Sequence, residues 1–188
     1  MLTRPEAAFP LALQVRSSAG APIGDVFAFL SGLYFRGKLT YARAFAPDRA
    51  FVITPCDGLF TLEQRITIDT IRRFAEVDIH HEDERFRGPL LRDAMDLDDA
   101  TGGAADAILL GSIASKKYVE VLGSVFGERL LFPEAFVGRG DMSRGGLLLR
   151  AAREGKELDY APVIGAVRRG KRPPKLVPIR GILKDSGG

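Results

Sequence analysis

The stretch Val137-Gly138-Arg139-Gly140-Asp141-Met142-Ser143-Arg144-Gly145-Gly146 constrains this chain more than any other. It follows a short apolar run, Leu130-Leu131-Phe132-Pro133, and precedes a helical pattern over Leu147 to Arg153. Glycines between a strand and a helix let the backbone turn tightly and approach a ligand. The helix behind them presents unpaired N–H groups and a positive dipole end to an anion. Arg139 and Arg144 add planar, forked donors in the same loop. Such a turn suits a phosphate or a carboxylate. It lacks the Gly-Lys-Ser/Thr ending of a P-loop, and its glycine spacing is not that of a dinucleotide fingerprint.

Strand and helix patterns alternate along much of the chain. Alternating Leu11, Leu13 and Val15 predict a strand over Pro10 to Arg16. Asp25 and Ser31 are candidate caps for helical turns that run to Phe45, with Pro47 as the stop. Ala50 to Thr54 reads as a buried strand ending in the turn Pro55-Cys56-Asp57-Gly58. Thr67 to Phe74 reads as a helix, and Pro89 as the opening of another through Met95. Asp106 to Leu110 reads as a strand, and Ser112 or Ser115 as the cap of a helix ending at Gly127. Arg129 to Phe132 is the last expected strand. Together these predict one Rossmann-like α/β domain over residues 1–160. It would have three layers, a mainly parallel sheet of about four strands, and helices on both faces. Ligands of such sheets sit beyond the carboxyl ends of the strands. The segments expected there are Ser17 to Ala19, Pro55 to Gly58, Gly111 to Ser115 and Gly138 to Gly145.

A chain of 188 residues with 46% hydrophobic content suits one globular domain. No apolar run nears the roughly 20 residues that span a bilayer. The start of the chain lacks the layout of a signal peptide, so a cytoplasmic location is expected. Cys56 is the only cysteine, which excludes an internal disulfide and a cysteine zinc cluster. The net charge of +3 is uneven. From Val163 onward seven basic residues oppose only Asp185, giving that stretch +6 and the remainder −3. Residues 161–188 therefore read as an extended or disordered basic tail, marked by Pro173-Pro174 and able to track DNA or RNA.

Further motifs are Leu33-Tyr34-Phe35-Arg36 with Tyr41-Ala42, Asp57-Gly58-Leu59, Gly111 with Tyr118, and Gly138-Arg139. In that order they resemble a bacterial and phage domain of unknown function related to the YaaA peroxide-stress proteins, over about residues 10–155. The chain departs from that family at two points. Its first loop is Arg16-Ser17-Ser18-Ala19 rather than Cys-Gly-x-x-Lys, and Asp57 stands where a histidine is expected. The resemblance implies a link to DNA, a stress-response setting, and chemistry on nucleic acid in some relatives.

Asp57, at a strand's carboxyl end, is the candidate catalytic residue: a carboxylate there can accept from a base or ribose, or act as acid–base group. Gly138, Arg139, Gly140, Ser143 and Arg144 are the candidate phosphate holders. A second strand-to-helix loop offers Gly111, Ser112 and Ser115, followed by Lys116 and Lys117. Tyr34 and Arg36, on the first long helix, are expected to line the site, the ring to stack on a base. Cys56 reads as an inert thiol. His80-His81-Glu82-Asp83-Glu84 reads as a solvated charged loop, because adjacent histidines on one element point to different sides. No metal or cofactor is expected. The function so read is binding of a nucleotide or nucleic-acid segment, with any reaction a transfer or cleavage at a nucleoside. A non-enzymatic DNA-binding stress protein, and a subunit docked through the basic tail, are the alternatives. Oligomeric state is left open.

Overall fold

The computed structural model describes every residue except Met1, Thr3, Pro5, Arg168, Arg169, Arg172, Lys175 and 177–188. Six α-helices and seven short strands follow in the order α1 (Pro10–Arg16), β1 (Ala21–Pro22), α2 (Ile23–Phe45), β2 (Phe51–Ile53), β3 (Leu59–Thr61), β4 (Arg65–Ile66), α3 (Ile68–Ala75), α4 (Glu84–Ala100), β5 (Ala107–Ile108), α5 (Lys116–Phe126), β6 (Leu130–Pro133), α6 (Asp141–Glu154) and β7 (Tyr160–Pro162), among the described residues.

The expected three-layer, mainly parallel sheet is not what this sequence builds. The strands form two antiparallel pairs, β1–β4 and β2–β3, and one three-stranded sheet ordered β5-β6-β7. Only β5 and β6 run parallel. Three local causes account for the difference. Pro10–Arg16 is a helix: Ala12 and Val15, three apart, are fully buried, whereas Leu13 is 54% exposed. Burial there follows a helical period, and the alternation of Leu11, Leu13 and Val15 is incidental. The Pro55–Gly58 turn leads not into a helix but back along its own strand, because β2 pairs with β3 as a hairpin. Finally, β7 lies in sequence with no apolar alternation to announce it, and pairs antiparallel to β6.

Other expectations stand closer to the fold. The helical pattern ending at Phe45 is α2; it starts at Ile23 after Pro22, so the expected cap Asp25 lies inside its first turn, and the other candidate, Ser31, stands just before a break. Gly32 has φ 70° and ψ −152°, so the chain makes a short helix, one residue with positive φ at a kink, and a second helix. A side chain would strain this backbone, although nothing nearby fills the space. The helix at Thr67 is α3, with Thr67 and Thr70 forming a capping box. Pro89, in contrast, lies inside α4, which starts earlier at Glu84 under the Asp83 cap.

Two apolar clusters hold these parts together. One gathers Leu2, Val15, Ile23, Val26, Leu39, Val52, Ile66 and Phe74 around α1, α3 and the β1–β4 pair. The other gathers Phe86, Leu90, Val119, Leu122, Leu130, Phe132, Phe136 and Leu148 around α4, α5, α6 and the β5-β6-β7 sheet. Helix α2 runs through both, giving Leu39 to the first and Tyr41 to the second. Val163, just past β7, is buried in the second cluster, so packing continues beyond residue 160. Of the expected basic tail, Arg168, Arg169, Arg172, Lys175, Arg180 and Lys184 lie outside the described residues.

Candidate anion-binding site

Helix α2 packs along α6, and the second of the expected loops, ahead of α5, joins them through Tyr34. Tyr34 is the hub. Its hydroxyl donates to the Leu110 carbonyl at 3.2 Å, which fixes α2 to the Gly111 loop ahead of α5. Its ring meets Phe136 edge-on, with centroids 6.2 Å apart, just before the Gly138 turn. Lys38, one helical turn further along the same face of α2, lays its ammonium 4.2 Å from the centre of the Tyr34 ring. Arg144, inside α6, spreads its guanidinium over Phe136 and donates to the Phe136 carbonyl at 3.3 Å.

The charges do not balance. Lys38 and Lys117 form no ion pair among the described residues, whereas Lys116 is taken by Glu120 at 3.1 Å. Arg144 has one counter-charge, Asp141 at 3.4 Å; the arginine side chain is 13% exposed and the aspartate 70%. An ion pair reaching that far into solvent is weakly held. Lys38, Lys117 and Arg144 against Asp141 leave the cluster with two uncompensated positive charges. Burial pushes the Lys38 ammonium down to about 8, with Arg144 and Lys117 adding to the drop and Asp141 opposing it. Burial lifts the Tyr34 phenol to about 12 and raises Tyr118 as well, so both keep their protons and stay donors. Lys38 is the residue that reading the sequence passed over. Its one sequence signal is the four-residue step from Tyr34, which places both on one helix face.

Some of the sequence's candidates gather here and others do not. Ser115 is the residue before α5, and its hydroxyl is buried with no hydrogen-bond partner among the described residues. Ser112 accepts from the Ala114 N–H at 3.3 Å, and Gly111 is buried against Leu109. Arg36 is exposed on α2, turned roughly 200° from Tyr34 around the axis. Gly140 is the residue before α6, so Ser143, Arg144 and Gly145 lie within the helix rather than in a loop. Arg139 is occupied by neutral oxygens: it donates to Ala135 O at 3.0 Å, Ser143 Oγ at 3.1 Å and Pro174 O at 3.4 Å. Gly138 (φ 72°) has the Lys171 carbonyl where a Cβ would stand, so its closeness serves the chain's own later segment.

Asp57 sits apart from this cluster. It pairs with Arg73 of α3, while its N–H donates to the buried Thr54 hydroxyl at 2.9 Å. The neighbouring Cys56 thiol is raised by burial, against the hydrogen bond from Arg73. A thiol held protonated is a poor nucleophile. The Ser17–Ala19 turn is pinned elsewhere, by Arg65 donating to Ala19 O at 2.7 Å. Two surface cavities, of about 380 and 560 Å³, contain none of the cationic cluster; the first sets Glu134, Glu154, Glu157 and Asp159 beside Arg150 and Lys156. Among the described residues, no group of three or more His, Cys, Asp or Glu side chains is placed to hold a metal ion. No helix among them is long and apolar enough to cross a membrane.

The class of site is therefore a cationic cluster where α2 packs on α6 and the Gly111 loop ahead of α5 reaches Tyr34. No family model matches the chain, and neither a curated protein nor a solved structure matches it.

Proposed function

We propose that this protein binds a phosphorylated ligand of nucleotide size, with phosphate oxygens held by Lys38, Lys117 and Arg144. Lys117 lies in the first turn of α5 and Arg144 in that of α6, where backbone N–H groups and the positive dipole end also favour an anion. Ser115, the residue before α5, has a hydroxyl with no hydrogen-bond partner among the described residues. The observation that carries this reading is the Lys38 ammonium, half-buried over the Tyr34 ring, with no ion-pair partner among the described residues and with Arg144 and Lys117 as like-charged neighbours. Like charges close together in a partly buried place disfavour one another's charged form, and an anion bound between them relieves that cost. The Tyr34 ring is covered by Lys38, so in the free protein it is not open for base stacking. An arriving phosphate that draws the ammonium away would uncover it. The resemblance to the YaaA-related domains, with its nucleic-acid link, points the same way. Asp57 has no part in this reading.

The test is calorimetric titration with inorganic pyrophosphate and with a nucleoside diphosphate. Wild-type protein should bind both, and Lys38→Met and Arg144→Met should each weaken binding at least about tenfold, the cost of one charge-assisted contact. Unaltered affinity in both variants would remove the cluster from the ligand's path.

A further inference from the structure

One pair of aromatic rings carries two unlike basic groups. The Tyr34 and Phe136 rings meet edge-on with centroids 6.2 Å apart. Lys38 sets its amine 4.2 Å from the centre of the Tyr34 ring and 6.0 Å from that of Phe35. Arg144 sets its guanidinium 5.7 Å from the centre of the Phe136 ring. The two groups differ in what they can do. A guanidinium keeps its charge and holds a phosphate through two N–H groups at once. An amine that gives up its proton is a nucleophile toward a carbonyl carbon.

The surroundings of Lys38 favour that loss. Ring faces stand against its amine where a surface lysine would find a carboxylate. Burial lowers the ammonium to about 8; Asp141 opposes the drop, and Arg144 and Lys117 add to it. At pH 7 about one such amine in ten is neutral, against fewer than about one in a thousand for an ordinary lysine. A desolvated lysine beside another cation is the arrangement that prepares an amine for imine formation. Lys38 is only half-buried, so a small ligand reaches it.

We propose that Lys38 captures the carbonyl carbon of a phosphorylated aldehyde as an imine, while Arg144 and Lys117 hold the phosphate. The proposal rests on the anion-site reading and names its ligand class. The Lys38 ammonium first releases a proton to water. The neutral amine then forms a C–N bond to the carbonyl carbon, and the amine proton moves to the carbonyl oxygen. That hydroxyl leaves as water with the remaining N–H proton, and a C=N bond is left. No oxidant or reductant is consumed. Two sources offer this chemistry: a free sugar phosphate, and the deoxyribose aldehyde of an abasic site in a nucleic-acid strand.

Borohydride trapping of the full chain tests this, with the adduct mapped by peptide mass spectrometry. The probes are glyceraldehyde 3-phosphate, glyceraldehyde, and a single-stranded DNA 12-mer carrying one abasic site. Glyceraldehyde 3-phosphate should label Lys38 ahead of every other lysine. Glyceraldehyde should label it at least about tenfold more slowly, having no phosphate for Arg144 and Lys117. Excess pyrophosphate should suppress the adduct, and Lys38→Arg should lose it. The labelling rate at Lys38 should level off near pH 8, whereas a surface lysine goes on rising toward pH 10. An adduct with the abasic 12-mer puts the aldehyde in a nucleic-acid strand; an adduct with glyceraldehyde 3-phosphate alone puts it in a free sugar phosphate. Labelling spread evenly over the lysines, equal rates with and without the phosphate, or no adduct with either phosphorylated probe overturns the proposal. Calorimetric titration of the same protein with pyrophosphate reads the anion site by itself. Failure there removes the underlying site, and the proposal with it; a missing Lys38 adduct beside intact pyrophosphate binding overturns imine formation alone.

Discussion

Gly37 of α2 and Gly145 of α6 touch through their backbones. A Cβ on Gly37 would lie 2.6 Å from the Gly145 carbonyl oxygen, and one on Gly145 would lie 2.8 Å from the Leu33 carbonyl. This crossing brings Tyr34 and Lys38 on one helix up to Arg144 on the other. Gly145, which reads in the sequence as part of a ligand turn, is a helix-crossing residue.

Gly145→Ala should therefore destabilise the protein by about 2–3 kcal/mol, because the methyl meets backbone that cannot rotate away. Thermal unfolding should fall by roughly 4–10 °C for a chain of this size. A melting temperature within a degree of wild type would show that the helices separate without cost.

Lys38→Met should move stability and binding in opposite directions. The folded-state pKa of Lys38 is lowered to about 8, so below that pH the folded protein carries a poorly solvated charge. Replacing it with an apolar chain of similar length should stabilise the fold by on the order of 1–3 kcal/mol near pH 7 while weakening pyrophosphate binding. The sign of the pH effect follows by linkage. Between pH 8 and about 10 the unfolded chain still holds the Lys38 proton that the folded chain has released. Wild-type stability relative to Lys38→Met should rise with pH over that window. Denaturant melts of both proteins at pH 7, 8.5 and 9.5 measure this difference, which a normal Lys38 would leave flat.

Arg144 and Arg139 should separate in their effects. Arg144 has only an exposed Asp141 as counter-charge, whereas Arg139 is spent on three neutral oxygens of its own chain. Pyrophosphate affinity should fall at least about tenfold in Arg144→Ala and less than about threefold in Arg139→Ala. Equal losses would return both arginines to one anion turn.

Asp57→Asn tests the remaining candidate. Its partner Arg73 is 54% exposed, so the pair contributes at most about 1 kcal/mol. Stability should fall by no more than that, and pyrophosphate binding should stay unchanged. A binding defect would put the β2–β3 turn in contact with the ligand.

Local patterns legible in the sequence survive where a single element decides them. The helix at Thr67 carries its own capping box, Gly127 closes α5, and the run from Leu130 forms a strand. Arg144 stood out because it lies near glycines, and Tyr34 because an aromatic ring precedes a basic residue. Lys38 did not, since one lysine on a long helix is ordinarily solvated. What made it unusual is the neighbourhood supplied by α5 and α6, more than seventy residues away.

Composition and periodicity thus determined the helices at Thr67 and ahead of Gly127, the strand from Leu130, and where cations are plentiful. The pairing of strands, the helical state of Pro10–Arg16 and the gathering of Tyr34, Lys38, Lys117 and Arg144 were decided only by tertiary structure. The physical reason is that strand pairing and charge imbalance are relations between distant segments. A two- or three-residue strand has no pattern of its own to show which neighbour it will choose, and a lysine's environment is set by the helices that close over it.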